Sequence, residues 1–449
     1  MKRRLFALAL ALLLAVSLPV SALARDWYID DGDITIRATE NGQTVSQGNT
    51  TEADVAPVIK QRESSTSTDR VIKVIAEEDA TANVTLDGVK IDTSKTGMTG
   101  RDQAALRTEG DGDVNIELDG DNYLKSSFAS RAAGLNKGNS GTLTINDEDN
   151  NGELEAVGGH DGAGIGGGQN SSASDITITG GTITARGGST GSAAGIGGGS
   201  WGSGNNIAIS GGDVTAIGSV YASGIGGELD GSNITISNGK VTAIGGDQGG
   251  AGIGGGFWAS GSDITISGDA QVKAQGGTEY NEGAGAGIGN GGAGNTNGDE
   301  VEPDTSGLTE NGRLEYYAPG ADMENDAPKK VIENKSEASA PSGASAPVYS
   351  VTDKDGNAVS YTAAREGGVL TIRVDAAYAR LTLTADEAQA LTAQSVEKVV
   401  FITTGATSAF RPADLTAYKD EAPFVLTHDG ETVTFTAGET DLASLLLQA

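Results

Sequence analysis

The sequence has no cysteine and only two histidines, His160 and His428, in a chain of 449 residues. The absence of cysteine excludes disulfide scaffolds, thiolate zinc sites, iron–sulfur clusters and cysteine nucleophiles. Because the two histidines lie far apart in the sequence, a histidine-based metal centre or catalytic triad is not expected. We therefore expect no resident cofactor.

Positive charge is scarce as well. The chain has 30 Lys and Arg residues against 61 Asp and Glu residues, which gives a formal net charge of −31. A chain with this charge repels nucleic acid and anionic membrane surfaces. We expect a neutral or cation-rich partner and no nucleic acid.

Proline is rare, with 9 residues, whereas glycine is abundant, with 69. This share of glycine is roughly twice the usual one. Collagen is excluded because glycine does not recur at every third position. The glycines instead belong to a longer repeat, described below.

Residues 1–24 have the composition of a secretory signal peptide. A basic start at residues 2–4 precedes an apolar run at residues 5–16, and residues 22–24 form an A-x-A cleavage pattern. A short membrane anchor is the alternative, but the apolar run is too short to span a bilayer. No second apolar run of spanning length follows. The sequence predicts a secreted or cell-surface protein without a transmembrane anchor.

The middle of the chain repeats itself with a period of about thirty residues. The motif GAGIGGG at residues 162–168 recurs in similar form, and the spacings between its isoleucines are 31, 29, 28 and 35 residues. An alternating apolar–polar run follows each of the first four motifs, and a third short apolar piece comes after it. Weaker copies extend upstream, so we count about seven turns between roughly residues 80 and 295. The motif isoleucines are Ile165, Ile196, Ile225, Ile253 and Ile288.

This repeat predicts an all-β fold, a right-handed parallel β-helix. Period-two alternation places Ile176 and Ile178 on one face of a strand and Thr177 on the other. Three short strands cannot bury their apolar face alone, whereas stacked units bury a continuous column of Ile and Val. Right-handed winding is the default for parallel crossovers. An antiparallel sandwich is the alternative, but it does not require a register kept over seven copies.

The glycines of the motif predict tight corners at positive φ, or strands whose partners approach closely. A phosphate-binding loop is not expected, because no Lys-Ser/Thr pair and no amphipathic helix follow the motif.

Regions on either side of the repeats predict further units. Residues 25–79 are expected to form an N-terminal strand and cap region before the β-helix of residues 80–295. Residues 296–346 are expected to form a capping segment and a flexible linker. Arg313–Tyr317 is the predicted capping strand in that segment.

Residues 347–449 predict a separate small β-rich accessory domain. Short apolar runs alternate with Asp-Gly pairs, which are typical of hairpin turns. Thr384 is expected to cap a short helix, with Glu387 in the capping-box position. No catalytic motif is visible in this region.

The chain from Val84 to about Gly294 resembles a known family. The residues that carry the resemblance are VTLDGV at 84–89, VNIELDG at 114–120 and the GAGIGGG…DITITGGTITA turns. They resemble the Gly-rich right-handed parallel β-helix surface proteins of Gram-positive anaerobic bacteria, of the carbohydrate-binding-domain-containing type. The resemblance covers about half of the chain. It implies a helix similar to pectate lyases that binds polysaccharide without cleaving it.

Four residues stand in register before the alternating runs: Asp175, Asn206, Asn233 and Asp263. Their side chains, stacked in one column, predict a hydrogen-bonded ladder or turn contacts. A Ca²⁺ site that uses Asp175 and Asp263 is the alternative. The acidic run at residues 147–149 is interpreted as a solvated loop rather than a cation site.

Catalysis is not expected. A polysaccharide lyase on this fold needs a basic residue near a Ca²⁺-bound uronate, and a glycosidase needs two positioned carboxylates. The repeats contain few basic residues, among them Arg186, Lys240 and Lys273, and these fall at different repeat positions. The sequence singles out no pair of carboxylates.

Aromatic residues provide the candidate binding site. Trp201 and Trp258 each lie five residues after a motif isoleucine, and Phe257 precedes the second tryptophan. Asp230 stands five residues after the isoleucine of the turn between them. Two turns of a parallel β-helix separate equivalent residues by about 10 Å. We predict that the rings stack on sugars, with Asp230 accepting a hydrogen bond from a hydroxyl group.

The sequence as a whole predicts an exported carbohydrate-binding or adhesin-like β-helix protein without catalysis. Its expected partner is a polysaccharide or a surface glycan. A passive structural spacer at the cell surface is the first alternative, and a polysaccharide lyase is the second. A structure with no cleft and no basic residue near carboxylates would count against the lyase.

Overall fold

The computed structural model describes residues 25–63, 65–96, 103–278, 283–334, 350–354, 356–357, 359, 361–366, 368–393, 396–430 and 432–447. The signal peptide predicted at residues 1–24 lies outside the described residues, and so do residues 335–346 of the predicted capping segment and linker and residues 347–349. The chain divides into two compact units, residues 1–334 and 335–449. Each unit is described by itself.

The first unit is a parallel β-helix, as predicted, and three sheets run along it. Sheet 1 contains nine parallel strands, Asp26–Tyr28, Val58–Lys60, Thr81–Asp87, Asp113–Asp119, Leu143–Asn146, Ala173–Ile178, Gly204–Ile209, Gly231–Ile236 and Gly261–Ile266. Sheet 2 contains eight parallel strands, Lys90–Asp92, Asp121–Lys125, Glu153–Val157, Thr182–Arg186, Asp213–Ile217, Lys240–Ile244, Gln271–Gln275 and Arg313–Tyr317. Sheet 3 contains nine parallel strands, Ile34–Thr39, Ile72–Ala76, Leu106–Glu109, Leu135–Asn136, Ile165–Gly166, Ile196–Gly197, Ile225–Gly226, Ile253–Gly254 and Ile288–Gly289.

The solenoid is longer than the sequence predicts. Sheet 3 has seven strands between residues 80 and 295, which matches the expected count, and two more precede them. These earlier strands come from residues 25–79, whose apolar runs lack the glycine motif that marks the later turns. Short 3-10 helices at Ile29–Asp31, Thr93–Thr96 and Phe128–Ser130 lie in the connections.

Inward-facing side chains of the three sheets form one continuous core. Ile176 and Ile178 are fully buried and Thr177 faces outward, as the alternation predicts. Ile176 pairs with Leu143 on one side and Ile207 on the other, so each column repeats one apolar position from turn to turn. Burial between neighbouring turns is therefore the main stabilising contribution.

One glycine column explains the close stacking of the turns. Gly166, Gly197, Gly226 and Gly254 follow the motif isoleucines and have φ values of +135°, +128°, +134° and +128°. A Cβ atom at each of them would overlap the carbonyl oxygen of the equivalent glycine in the next turn. Only glycine satisfies both the positive φ and the close approach. The sequence predicts either a tight corner at positive φ or a close approach of neighbouring strands, and both apply at this position.

At each end of the solenoid, antiparallel strands cover the edge of one sheet. At the first end, Gly42–Gln47 pairs with the first strand of sheet 3, and Thr50–Ala53 extends that pairing. At the other end, Lys330–Glu333 pairs antiparallel with Arg313–Tyr317. The predicted capping strand Arg313–Tyr317 is itself the last parallel strand of sheet 2.

The second unit packs two small sheets and a helix around a separate core. One sheet contains Ser350–Thr352, Tyr378–Leu383, Phe424–Asp429, Thr432–Ala437 and Thr440–Asp441. The other contains Thr362–Glu366, Val369–Arg373, Lys398–Ile402 and Thr407–Phe410. The α-helix is Ala385–Ala393, and 3-10 helices form at Pro412–Glu421 and Ala443–Leu445.

The helix begins with the predicted capping box. The Glu387 N–H donates to Thr384 Oγ1 at 3.2 Å, and the Thr384 N–H donates to Glu387 Oε2 at 2.6 Å. Two N–H groups without helical partners are thereby satisfied.

His428 is fully buried between strands of the second unit. Its Nδ1 lies 3.0 Å from Thr403 Oγ1 and its Nε2 lies 2.6 Å from Ser408 Oγ. Burial lowers the pKa of His428. The imidazole is thus a neutral polar link inside an apolar core.

Candidate functional site

Trp201 and Trp258 occupy equivalent positions two turns apart. Gly204, Gly231 and Gly261 are paired across sheet 1, and each tryptophan lies three residues before a paired glycine. The side chains are 66% and 69% exposed, respectively. Neither ring contributes to the core of the solenoid.

The backbone at both tryptophans is left-handed, with φ of +59° at Trp201 and +64° at Trp258. Asn170 holds the equivalent position one turn before Trp201, and its φ is also +59°. Asparagine adopts this conformation readily, whereas a bulky residue there is an outlier that costs on the order of 1–3 kcal/mol. Since the rings are exposed, burial does not offset this cost.

Different contacts hold the two tryptophans in place. The Trp201 N–H donates to the Glu228 carboxylate, which also accepts from Ser200 Oγ at 3.0 Å. The Trp258 N–H donates to the Gly292 carbonyl at 2.9 Å. The six-membered part of the Trp258 indole packs on Gly294, where a Cβ atom would lie 3.0 Å from Trp258 Cζ2.

Further aromatic rings extend this surface. Phe257 contacts Trp258 edge to face at a centroid distance of 5.7 Å, and Tyr221 lies 5.4 Å from Phe257. The backbone of Leu229 connects the two tryptophan loops, since its N–H donates to Gly202 and its carbonyl accepts from Gly256. The set Trp201, Tyr221, Phe257 and Trp258 is called the aromatic patch below.

Tyr221 was not singled out from the sequence. It lies four residues before a motif isoleucine, in the loop that leaves sheet 2, and Phe257 lies in the loop that leaves sheet 3. The Phe257 N–H donates to the Tyr221 carbonyl at 2.7 Å, so the two loops meet beside the short strands of sheet 3. Comparing equivalent positions of one loop from turn to turn does not reveal a contact between two different loops.

Asp230 does not occupy the tryptophan position. The loop from Gly227 to Asp230 has two residues fewer than the loops that carry the tryptophans. Asp230 therefore aligns with Ser203 and Ser260, and its Oδ1 accepts from the Ser260 N–H at 2.9 Å. Glu228 is the acidic residue that contacts Trp201.

The column of Asp175, Asn206, Asn233 and Asp263 is a row of bulges in sheet 1. All four residues have φ between +52° and +59° and are skipped by the strand pairing. Asn206 Nδ2 donates to Asp175 Oδ1 at 3.0 Å, and Asn233 Nδ2 donates to Asn206 Oδ1 at 2.8 Å. This geometry is the predicted hydrogen-bonded ladder.

Both carboxylates proposed as Ca²⁺ ligands take part in local bonds. Asp175 Oδ2 accepts from Ser174 Oγ at 2.6 Å, and hydrogen bonds from Ser174 and Asn206 lower the pKa of Asp175. Asp263 Oδ2 accepts from Ser262 Oγ at 3.0 Å. Turn and ladder contacts thus account for the acidic residues of this column.

An acidic groove of about 560 Å³ lies on the outer face of sheet 1. Glu117, Asp147 and Asp149 bring carboxylate oxygens within 4.8 Å of one another. Burial, together with neighbouring carboxylates, raises the pKa values of Glu117 and Asp119. Asp147 accepts from the N–H groups of residues 151 and 152 at 3.0 and 3.1 Å. The Asp147 carboxylate therefore fixes the turn at residues 147–152 by hydrogen bonds. The acidic run predicted as a solvated loop is held at this residue.

Comparison with known proteins supports the fold. A family model described as a beta helix repeat matches residues 150–169, 176–200, 207–231, 234–257 and 264–292. These segments coincide with the turns that carry the glycine motif. No curated protein and no solved structure matches the chain. Among the described residues, no helix is long and apolar enough to cross a membrane.

Proposed function

We propose that this parallel β-helix protein is exported and binds polysaccharide at the cell surface through the aromatic patch, without cleaving it. The observation that carries the proposal is the pair of exposed tryptophans in left-handed backbone positions. Neither core packing nor backbone preference accounts for tryptophan there. A sugar ring stacked on the indole supplies an interaction of about 0.5–1.5 kcal/mol per ring by analogy with aromatic pairs.

The spacing of the tryptophans suits an extended chain of sugars. Adjacent turns of the solenoid are about 4.8 Å apart, so the two positions are separated by about 10 Å along the axis. This span is close to two units of an extended β-linked polysaccharide. Tyr221 and Phe257 widen the apolar surface beside Trp258.

Binding without catalysis is supported by the charges around the patch. Residues 198–203, 227–230 and 255–260 include no Lys or Arg, so these loops provide no base of the kind that a lyase requires. The Glu228 carboxylate is engaged with Trp201 and Ser200. A passive spacer, the other alternative, provides no reason for tryptophan at two strained and exposed positions.

The test replaces both tryptophans by asparagine, the residue that holds their position in the turn before Trp201. The variant Trp201→Asn/Trp258→Asn relieves backbone strain, and we expect an unchanged circular dichroism spectrum and an unchanged or higher melting temperature. Its retention on insoluble cellulose, chitin and mannan should be lost for whichever of them the unmodified protein binds. Tyr123→Ala is the matched control, because it removes a half-buried, outward-facing ring from sheet 2.

The proposal fails if the unmodified protein is retained by no polysaccharide of a wider panel, or if the double variant binds as well as the unmodified protein. Export is tested separately, by locating the protein after expression with and without residues 1–24. Retention of the shortened chain inside the cell, with secretion of the full chain, is the expected result.

A further inference from the structure

A second concave surface lies on the same side of the solenoid as the tryptophans. It has a volume of about 350 Å³ and is built by strand and loop residues of three successive turns. We call it the polar cleft, and its side chains include Arg107, Glu109, Arg131, Asn136, Gln169 and Asn170.

The register of sheet 3 aligns the polar cleft with the aromatic patch. Asn136 pairs with Arg107 on one side and with Gly166 on the other, so these residues mark three successive turns. Asn170 belongs to the third turn and stands at the position that Trp201 fills in the next one. The cleft therefore ends where the line of tryptophans begins.

A buried carboxylate organises the wall of the cleft. Asp161 is 6% exposed, and its Oδ2 accepts from Gln169 Nε2 at 2.8 Å. Arg131 Nη1 donates to Gln169 Oε1 at 2.7 Å, and Arg131 Nε lies 3.6 Å from Asp161 Oδ2. Planar donors and acceptors held in this way are suited to recognising the hydroxyl groups of a sugar.

The charges of the cleft indicate a neutral ligand. Glu109 forms ion pairs with both Arg107 and Lys73, and Arg131 lies within ion-pair distance of Asp161. These cations already have carboxylate partners, so they are not available to neutralise an acidic sugar. The net charge of −31 also disfavours the approach of a polyanion.

We infer that the polar cleft is a second subsite for the same polysaccharide, and that this polysaccharide is neutral. The inference rests on the proposed function. One chain runs parallel to the solenoid axis, from the cleft over Trp201 to Trp258. Five turn steps separate the strand of Arg107 from the turn of Trp258, which is about 24 Å at about 4.8 Å per turn. Because each turn advances by about the length of one sugar unit, the path holds roughly five or six units.

Affinity electrophoresis tests this path with named probes. Hydroxyethyl cellulose, xyloglucan and galactomannan are the neutral polysaccharides, and polygalacturonate is the anionic one. The cleft variants are Arg107→Ala, which removes a donor, and Ser171→Gln, which fills the cleft from an exposed position. Arg186→Ala is the charge-matched control, since this exposed arginine lies on sheet 2.

The expected result is a length-dependent loss. Each cleft variant should weaken retention by the neutral polysaccharide roughly five- to tenfold, as expected when one or two hydrogen bonds are lost. Fragments of about two sugar units reach only across the tryptophans. They should compete with the polysaccharide equally well for binding to both cleft variants and to the unmodified protein. Fragments of about six sugar units should compete less well for binding to the cleft variants than for binding to the unmodified protein.

Other outcomes separate the two proposals. Full retention of the cleft variants, with loss only in Trp201→Asn/Trp258→Asn, overturns the second subsite and leaves the proposed function standing. Loss in the cleft variants with full retention of the double tryptophan variant overturns both the proposed function and the shared path. Stronger retention by polygalacturonate than by any neutral polysaccharide overturns the assignment of a neutral ligand.

Discussion

The two units of this chain achieve stability in different ways. In the solenoid, every turn continues the same apolar core, and the turns from Gly166 to Gly289 also repeat a close glycine contact, so each turn is stabilised mainly by its two neighbours. In the second unit, apolar residues from two sheets and one helix form a single core, and His428 is buried in the same unit. A repeated interface makes the solenoid sensitive to any change that spoils stacking, whereas the second unit depends on a few individual contacts.

The largest effect is expected from a charge in the solenoid core. Ile236 is fully buried between Ile209 and Ile266, and Ile236→Asp leaves an unpaired carboxylate there. We expect the free energy of unfolding to fall by more than about 4 kcal/mol, and several turns to unfold. Thr235→Asp, one residue away on the outer face, should cost less than about 1 kcal/mol. Calorimetry that finds the same melting transition for Ile236→Asp and the unmodified protein would show that the core register is wrong.

A smaller effect should follow from a methyl group in the glycine column. In Gly226→Ala, the new methyl group is strained by the positive φ and overlaps the carbonyl oxygen of Gly254. We expect the free energy of unfolding to fall by at least about 3 kcal/mol. Gly42 has a similar φ of +123° with nothing within 4 Å, so Gly42→Ala should cost about 1 kcal/mol from the backbone alone.

The second unit provides the contrast for this glycine prediction. Gly430 has φ of +66° and open space around it, so Gly430→Ala should resemble Gly42→Ala and not Gly226→Ala. If chemical denaturation finds the same loss of stability in all three variants, backbone strain alone, and not the contact between turns, determines how much the methyl group destabilises the protein.

The smallest effect is a pH dependence confined to the second unit. Because burial lowers the pKa of His428, the unfolded state binds the proton first as the pH falls. The stability that the neutral imidazole contributes is present above the unfolded pKa of about 6.5 and is lost progressively below it. The melting temperature of the second unit should drop by a few degrees between pH 7.5 and pH 5.

His428→Gln is the control for this titration. It removes the titrating group, so the melting temperature should start lower and change less with pH over the same range. A pH dependence as large in His428→Gln as in the unmodified protein would assign the effect to other groups.

Repetition explains how much of the solenoid the sequence could predict. The alternation around Ile176 and the glycine after each motif isoleucine recur often enough to reveal both the sheet register and the tight corner. The first two turns were missed because residues 25–79 have the apolar runs without the glycines. In the second unit, the capping box of Thr384 and Glu387 was predictable because it depends only on local sequence.

The candidate site was predictable only where it follows the repeat. Trp201 and Trp258 share a repeat position, and the structure places them in equivalent loops. Asp230 was misplaced because counting forward from an isoleucine ignores a loop that is shorter by two residues. Tyr221 and Asp161 were missed because their partners come from other loops and other turns, where no sequence spacing links them.

The short loop at residues 227–230 leaves the turn between the two indoles without a residue at their position. With a six-residue loop and a third tryptophan there, successive rings would be about 4.8 Å apart along the axis. At that separation aromatic rings stack on one another, since favourable centroid distances begin at about 4.5 Å. Because the short loop has no position for a third ring, no indole lies within stacking distance between Trp201 and Trp258, and the face of each indole stays accessible to a molecule from outside.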